Sequence, residues 1–254
     1  ANHGCGVDVY VSSSNAIIGN NITNSQYGII LYSSWSGNKL SNNKMANNRC
    51  NFGVWGDSPS VGDYVNYVDA SNTVDGKPIY YWVNETDKVV PSDAGYVALV
   101  NCTRISVQGL NLTKNMQAIL AVWTKNSTIA ENNIAENLDS GIHLSTSLNN
   151  SIVRNNITAN GDGIWLVDSD YNEISENNVT ANIGNGITLY GYGTEWYLYS
   201  IGNSILRNRV VRNGGTGVSL SDWEPFNLNT TIIGNFIANN NGGLTLGGGY
   251  EMLR

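Results

Sequence analysis

An all-β solenoid of about ten rungs is the fold this sequence predicts, and three observations carry that expectation. A phrase of about 23 residues recurs along nearly all 254 positions. Each copy joins an Asn-bearing half ending in an aliphatic to a half reading Gly-aliphatic-x-aliphatic, and neither half has helical periodicity. Short strand-like repeats of this period stack as coils in which each rung contacts only its neighbours.

The Gly-led halves begin at Gly6, Gly28, Gly53, Gly95, Ala118, Gly141, Gly163, Gly186, Gly217 and Gly243. In this half the first and third residues after the glycine are apolar, as in Ile142 and Leu144 or Ile187 and Leu189. Alternation with period two sends them to one face, the interior of the coil. The Asn-led halves carry a second column, Asn20, Asn43, Asn132, Asn155, Asn177, Asn208 and Asn235, each two residues before the closing aliphatic, with Gln108 at that place in one rung. Stacked amides can bond along the column and satisfy corner backbone groups, so this ladder is read as structural. A third column reads Glu131, Arg154, Glu176, Arg207. Its alternating charges are expected to form ion pairs between rungs.

Two segments break the period. Residues 57–94 contain Asp-Gly and Pro turn signals around the β-prone run Ile79 to Val83 and are expected to form a lateral loop or hairpin. Residues 190–200 form a smaller aromatic insertion. The expectation is one domain, 1–254. Its ends have no amphipathic capping helix, so neighbouring copies, or further chain if this is a fragment, are expected to cover them.

Composition narrows the class of partner. Charged residues are 13% of the chain and the net charge is −7 with 13 Lys and Arg, which disfavours nucleic acid. No apolar run approaches a membrane span, and neither an initiator Met nor a signal peptide is visible. Cys5 and Cys50 sit two rungs apart, about 9–10 Å at normal strand spacing. That exceeds the roughly 7 Å a disulfide tolerates. Buried free thiols or a bond between copies are the readings left open. Nine Asn-x-Ser/Thr sequons, at Asn21, Asn84, Asn101, Asn111, Asn126, Asn149, Asn156, Asn178 and Asn229, are candidate N-glycosylation sites of a secreted protein.

The Asn-Asn-Ile and Gly-Ile-x-Leu phrases resemble the repeat of the NosD-like (CASH-domain) family of carbohydrate-binding and sugar-hydrolase proteins. The stretches DGKPIYYWVN and VPSDAGYVALVNCTRISVQGLNLT resemble a segment recurrent in NosD-like surface proteins of methanogenic archaea. The resemblance implies a single-stranded, right-handed, three-sided parallel β-helix that is exported to the cell surface. Copper delivery, linked to some of those proteins, is not expected here. His3 and His143 are the only histidines, and copper sites want clustered His, Cys or Met.

Outward positions of the Gly-led strands show few catalytic groups. His143 and Asp57 stand on distant rungs, so no catalytic set is assigned and no cofactor is expected. The best acidic cluster is Asp162, Asp168, Asp170 and Glu173, with Glu195 beside it. It reads as a solvated turn, a weak Ca²⁺ site at Asp168 and Asp170, or a paired-carboxylate site. The outward columns instead read as an apolar stripe of Ile30, Tyr32, Trp55, Val97, Leu99, Leu120, Val122, Trp165, Val167 and Tyr190. Such a stripe calls for a cover. Three covers are open: the 57–94 insertion, stacked sugars, or further copies of the chain. The expected function is a non-catalytic structural subunit of a cell-surface layer, sheath or filament that self-associates as an oligomer or polymer. The alternative is a carbohydrate-binding module for cell-surface glycans using Trp55, Trp165 and the 190–200 segment. A polysaccharide lyase, hydrolase or epimerase ranks below both.

Overall fold

The computed structural model describes residues 4–33, 37–56, 60–191, 200–222 and 229–248. His3, Asp57, Glu195 and most of the 190–200 insertion lie outside the described residues. The described residues form a parallel β-solenoid of about ten turns, as the repeat predicts.

The coil comes in two stretches. Three rungs carry the Gly-led strands Cys5–Tyr10, Tyr27–Tyr32 and Cys50–Trp55, paired in parallel register. The chain then reverses at a hairpin in which Thr73–Val74 pairs antiparallel with Lys77–Val83. Asp75 and Gly76 both have positive φ, 47° and 81°, the geometry of the two-residue hairpin turn that Asp-Gly favours. From Lys77–Val83 a second stretch runs in parallel register through Tyr96–Val100, Gln117–Val122, Ser140–Ser145, Asp162–Val167, Ile187–Gly191 and Thr216–Asp222 to Gly242–Gly248. The segment 57–94 is expected as a lateral loop or hairpin; its described residues, 60–94, supply one hairpin, and their strands are rungs of the stack. Tyr67–Val68, Thr73–Val74, Lys77–Val83 and Thr86–Val89 each extend a sheet.

The reversal makes one sheet serve two cores. On Tyr96–Val100, Val97 and Leu99 point into the second stretch's core, while Tyr96, Ala98 and Val100 point into the core of the first three rungs. On Gln117–Val122, Ile119 and Ala121 face one way and Leu120 and Val122 the other. Phe52 of the third rung packs edge-on against Tyr96, ring centroids 4.9 Å apart. Backbone bonds fasten the junction: Asn51 N donates to Lys114 O (2.6 Å) and Met116 N to Phe52 O (2.8 Å). The approach is close enough that a side chain at residue 53 would collide with Met116, its Cβ falling 2.3 Å from the Met116 Cβ. Here Gly53 is needed for space.

Ladders of buried amides hold the corners. Asn132, Asn155, Asn177, Asn208 and Asn235 bond in series, each side-chain oxygen accepting from the preceding rung's backbone N–H and amide. Asn20 and Asn43 continue the pattern in the first stretch, where Asn72 extends it. Gln108 is not a rung of the ladder. It is exposed, and Leu110 stands at the ladder position, its N–H donating to Asn132 Oδ1. A second ladder, from Asn137 and Asn160 through Asn182 and Asn213 to Asn240, was not anticipated. Asn155→Ala would leave the buried Asn132 N–H without its acceptor. We expect a loss of about 1–3 kcal/mol, read as a lower urea midpoint at unchanged slope.

Arg154 bonds Glu131 at 3.0 Å and approaches Glu176 at 3.8 Å, and Arg207 bonds Glu176 at 3.3 Å. All four side chains are exposed, so these bridges set register more than they stabilise. The three cysteines are free, Cys50 and Cys102 buried and Cys5 half-buried. Burial pushes all three thiols up, Cys50 most.

Candidate functional site

The apolar stripe is where the sequence located a contact surface, and its members divide in the structure. Val97 and Leu99 are not outward at all. Both are fully buried in the second core, because Val97 pairs with Ile119 and so occupies the inward column. Leu120 and Val122 are outward but sealed in the first stretch's core, and Ile30 and Val167 are buried as well. Burial by the chain itself removes these members as a surface for packing copies side by side.

Tyr32, Trp55, Trp165 and Tyr190 remain half-exposed. Tyr10, Tyr32 and Trp55 stack in one column of the first stretch. Tyr10 and Tyr32 have centroids 5.3 Å apart and rings within 20° of parallel. Strand Cys50–Trp55 crosses the rung of Gln117, whose Nε2 donates to Val54 O at 3.1 Å. That crossing delivers Trp55 to the outward face of the second stretch, 5.6 Å from Trp165 and 5.8 Å from His143. His143 and Trp165 are register partners, 4.8 Å between rings. A run of aromatic rings therefore crosses from one stretch of coil to the other. Trp55 and Trp165, far apart in sequence, meet at its centre.

Polar groups flank that centre. Gln117, Ser140 and Asp162 are register partners on successive rungs, with Asp139 beside Ser140. Burial, opposed by a bond from Ser140 and reinforced by Asp162, pushes the Asp139 carboxyl up to about 7. Burial also raises Asp162, whose Oδ1 accepts from Asn185 N at 2.7 Å. His143 is drawn down to about 4 by burial alone, so it is neutral at ordinary pH. Its Nδ1 and the Oε1 of Gln117 are buried without a hydrogen-bond partner. Such orphans are rare in folded proteins and call for an explanation.

The other acidic candidates do not gather here. Asp168 is buried just past the end of strand Asp162–Val167. Asp170 Oδ1 accepts from Ile201 N at 2.8 Å, and Glu173 accepts from Ser175 Oγ at 2.6 Å. Among the described residues no three His, Cys, Asp or Glu side chains are grouped as a metal would require. The sequons lie at corners and strand starts, all exposed except the half-buried Asn178. Among the described residues no helix is long and apolar enough to cross a membrane.

Sequence reasoning found Trp55 and Trp165 but not their meeting, and it missed Asp139 and Gln117. Asp139 stands two residues before Gly141 while Asp162 stands one before Gly163, so the repeat alignment set the two carboxyls in different columns.

The sequence matches the family model described as right-handed beta helix region over residues 65–203 and again over 95–252. Among solved structures, a double mutant of the periplasmic alginate epimerase AlgG is similar at 17% identity and TM-score 0.47, covering 91% of this chain and 50% of that one. A single mutant of the same epimerase gives 16% and 0.43, covering 90% and 48%. The A-module of the Azotobacter vinelandii mannuronan C-5 epimerase AlgE6 gives 10% and 0.32, covering 93% and 79%. The chain thus spans about half the length of the first two. No curated protein matches the sequence.

Proposed function

The chain belongs to the right-handed β-helix family, and from that premise we propose that it is an exported, glycan-binding protein. One observation carries the reading: the convergence of half-exposed Trp55 and Trp165 at 5.6 Å within a longer aromatic run. Flat apolar rings bordered by hydrogen-bonding groups suit the faces and hydroxyls of a sugar chain, since pockets orient ligands with few polar groups among apolar walls. Attachment to a cell surface, and the NosD-like affinity suggested by the insertion phrase, are part of this proposal.

Self-assembly through Leu120 and Val122 is not carried forward, because the first three rungs cover them. A second reading, cleavage or epimerisation of the bound glycan, is supported by Asp139. A carboxyl near 7 beside a second carboxyl suits general acid–base work.

Trp55→Ala and Trp165→Ala test the binding reading. Each should weaken retention on immobilised polysaccharide by about 2 kcal/mol or more, roughly 30-fold. Tyr171→Ala, which removes an exposed ring away from the run, should leave retention unchanged. Equal loss in all three, or none, contradicts the reading. Release of new reducing ends or altered sugar stereochemistry would select the enzymatic version.

A further inference from the structure

We infer that the glycan taken by this site carries free amino groups, so that its substrate class is a hexosamine polymer and not a uronate; the inference rests on the glycan-binding reading. Charge along the aromatic run is of one sign. At one end a hollow is lined by Asp8 with Tyr10, Tyr32, Ile30 and Met116, and no lysine or arginine contributes to it. Flanking the centre stand Asp139 and Asp162. The ion pairs of the described residues join Lys88 to Glu85, Arg104 to Asp87, Arg154 to Glu131 and Glu176, and Arg207 to Glu176. None of these involves Asp8, Asp139 or Asp162.

The groups facing Asp139 are Ser140 on its own rung, Asp162 on the next, Gln117 on the previous one and Cys50 on the crossing strand. Arg49 acts on the Cys50 thiol, and both Arg49 and Lys114 are exposed on the neighbouring corner. A uronate would bring a third carboxyl group beside this pair, neither member of which is ion-paired to a lysine or arginine among the described residues, and carboxylates this close repel. An ammonium group supplies the missing partner.

A second observation is independent of the acids. Gln117 is fully buried, its Oε1 lacks a donor, and its side chain meets Asp139. His143, nine-tenths buried against the two tryptophans, presents an equally unpartnered Nδ1. Both atoms can accept from an N–H donor. The tryptophan faces add cation–π attraction for an ammonium within about 6 Å. Asp162 lies three residues along its strand from Trp165, about 10 Å, so a sugar stacked on the rings sets its neighbour beside the carboxyls.

The test is titration calorimetry of the whole chain at pH 7, where the Asp139 carboxyl is partly ionised, with three oligosaccharides of equal length: fully deacetylated glucosamine, its N-acetylated counterpart, and an oligouronate. The amine-bearing oligomer is expected to bind at least tenfold more tightly than the acetylated one, and the uronate more weakly than both. Asp162→Asn, and separately Asp139→Asn, should abolish the preference for the amine-bearing oligomer. Equal binding of the two glucosamine oligomers, or a preference that survives both substitutions, overturns the inference and leaves the glycan-binding reading intact. Preference for the uronate also overturns it. Failure of every oligosaccharide to bind, or binding indifferent to Trp55→Ala, sinks both.

Discussion

Leu120→Asp is expected to destabilise the protein by about 3–5 kcal/mol, the cost of leaving an unpaired charge buried. Leu120 is almost fully buried in the core formed by the first three rungs, and nothing in that core offers a cation. The matching change at Ser219 is the control. Leu120, His143, Trp165, Thr188 and Ser219 occupy one outward column, yet Ser219 is half-exposed. Ser219→Asp should therefore alter stability by about 0.5 kcal/mol or less. Urea unfolding at a fixed pH gives both numbers. If the stripe were a contact between copies, Leu120→Asp would dissociate an assembly and leave a stable folded monomer.

The second large effect lies in the pH dependence, where two buried groups oppose each other. Asp139 rises from 3.8 to about 7 on folding. The folded state therefore binds more protons than the unfolded between those values, and stability falls as pH rises through that window. At 1.36 kcal/mol per unit, the full contribution is about 4 kcal/mol. His143 moves from 6.5 to about 4. Here the unfolded state binds more protons, so stability rises with pH from about 4 to 6.5, by about 3 kcal/mol. Below pH 6.5 the two slopes nearly cancel. Removing one exposes the other. Asp139→Asn should gain stability relative to the parent progressively from pH 4 to 7 and hold the gain above it. His143→Gln should show the falling limb alone. Parallel stability curves for parent and Asp139→Asn would show that the carboxyl is solvated, contrary to the geometry.

Much of the coil was legible because its residues alternate. Gly163-Ile164-Trp165-Leu166 has a small residue at the corner, aliphatics inward and a distinguishable outward side chain, so its register reads directly. Tyr96-Val97-Ala98-Leu99-Val100 does not alternate. All five residues are apolar because both faces of that strand are buried, and a strand covered on both sides loses the period that assigns its faces. That is why Val97 and Leu99 were read one residue out of phase. The same uninterrupted run, repeated at Ala118 to Val122, was the available sign that a second layer lies on this sheet. Asp75-Gly76 was legible as a turn, but a turn signal does not say that the chain folds the preceding three rungs onto the flank of those that follow. The candidate site depended on that fold-back. Trp55 reaches Trp165 only through the crossing of strand Cys50–Trp55 over Gln117, a contact with no local signature. The ladders lie between these cases: regular Asn spacing announced one, and the other, through Asn137 and Asn160, went unread because its members sit next to variable corner residues.

The most direct measurement is thiol labelling of Leu120→Cys under native conditions, followed by peptide-resolved mass spectrometry, with Ser219→Cys as the exposed position in the same column. If the first three rungs cover the sheet, Cys at 120 reacts only at the rate of global unfolding while Cys at 219 reacts orders of magnitude faster. Comparable rapid labelling at both positions would mean that the flank is open, and the two-core arrangement would be wrong.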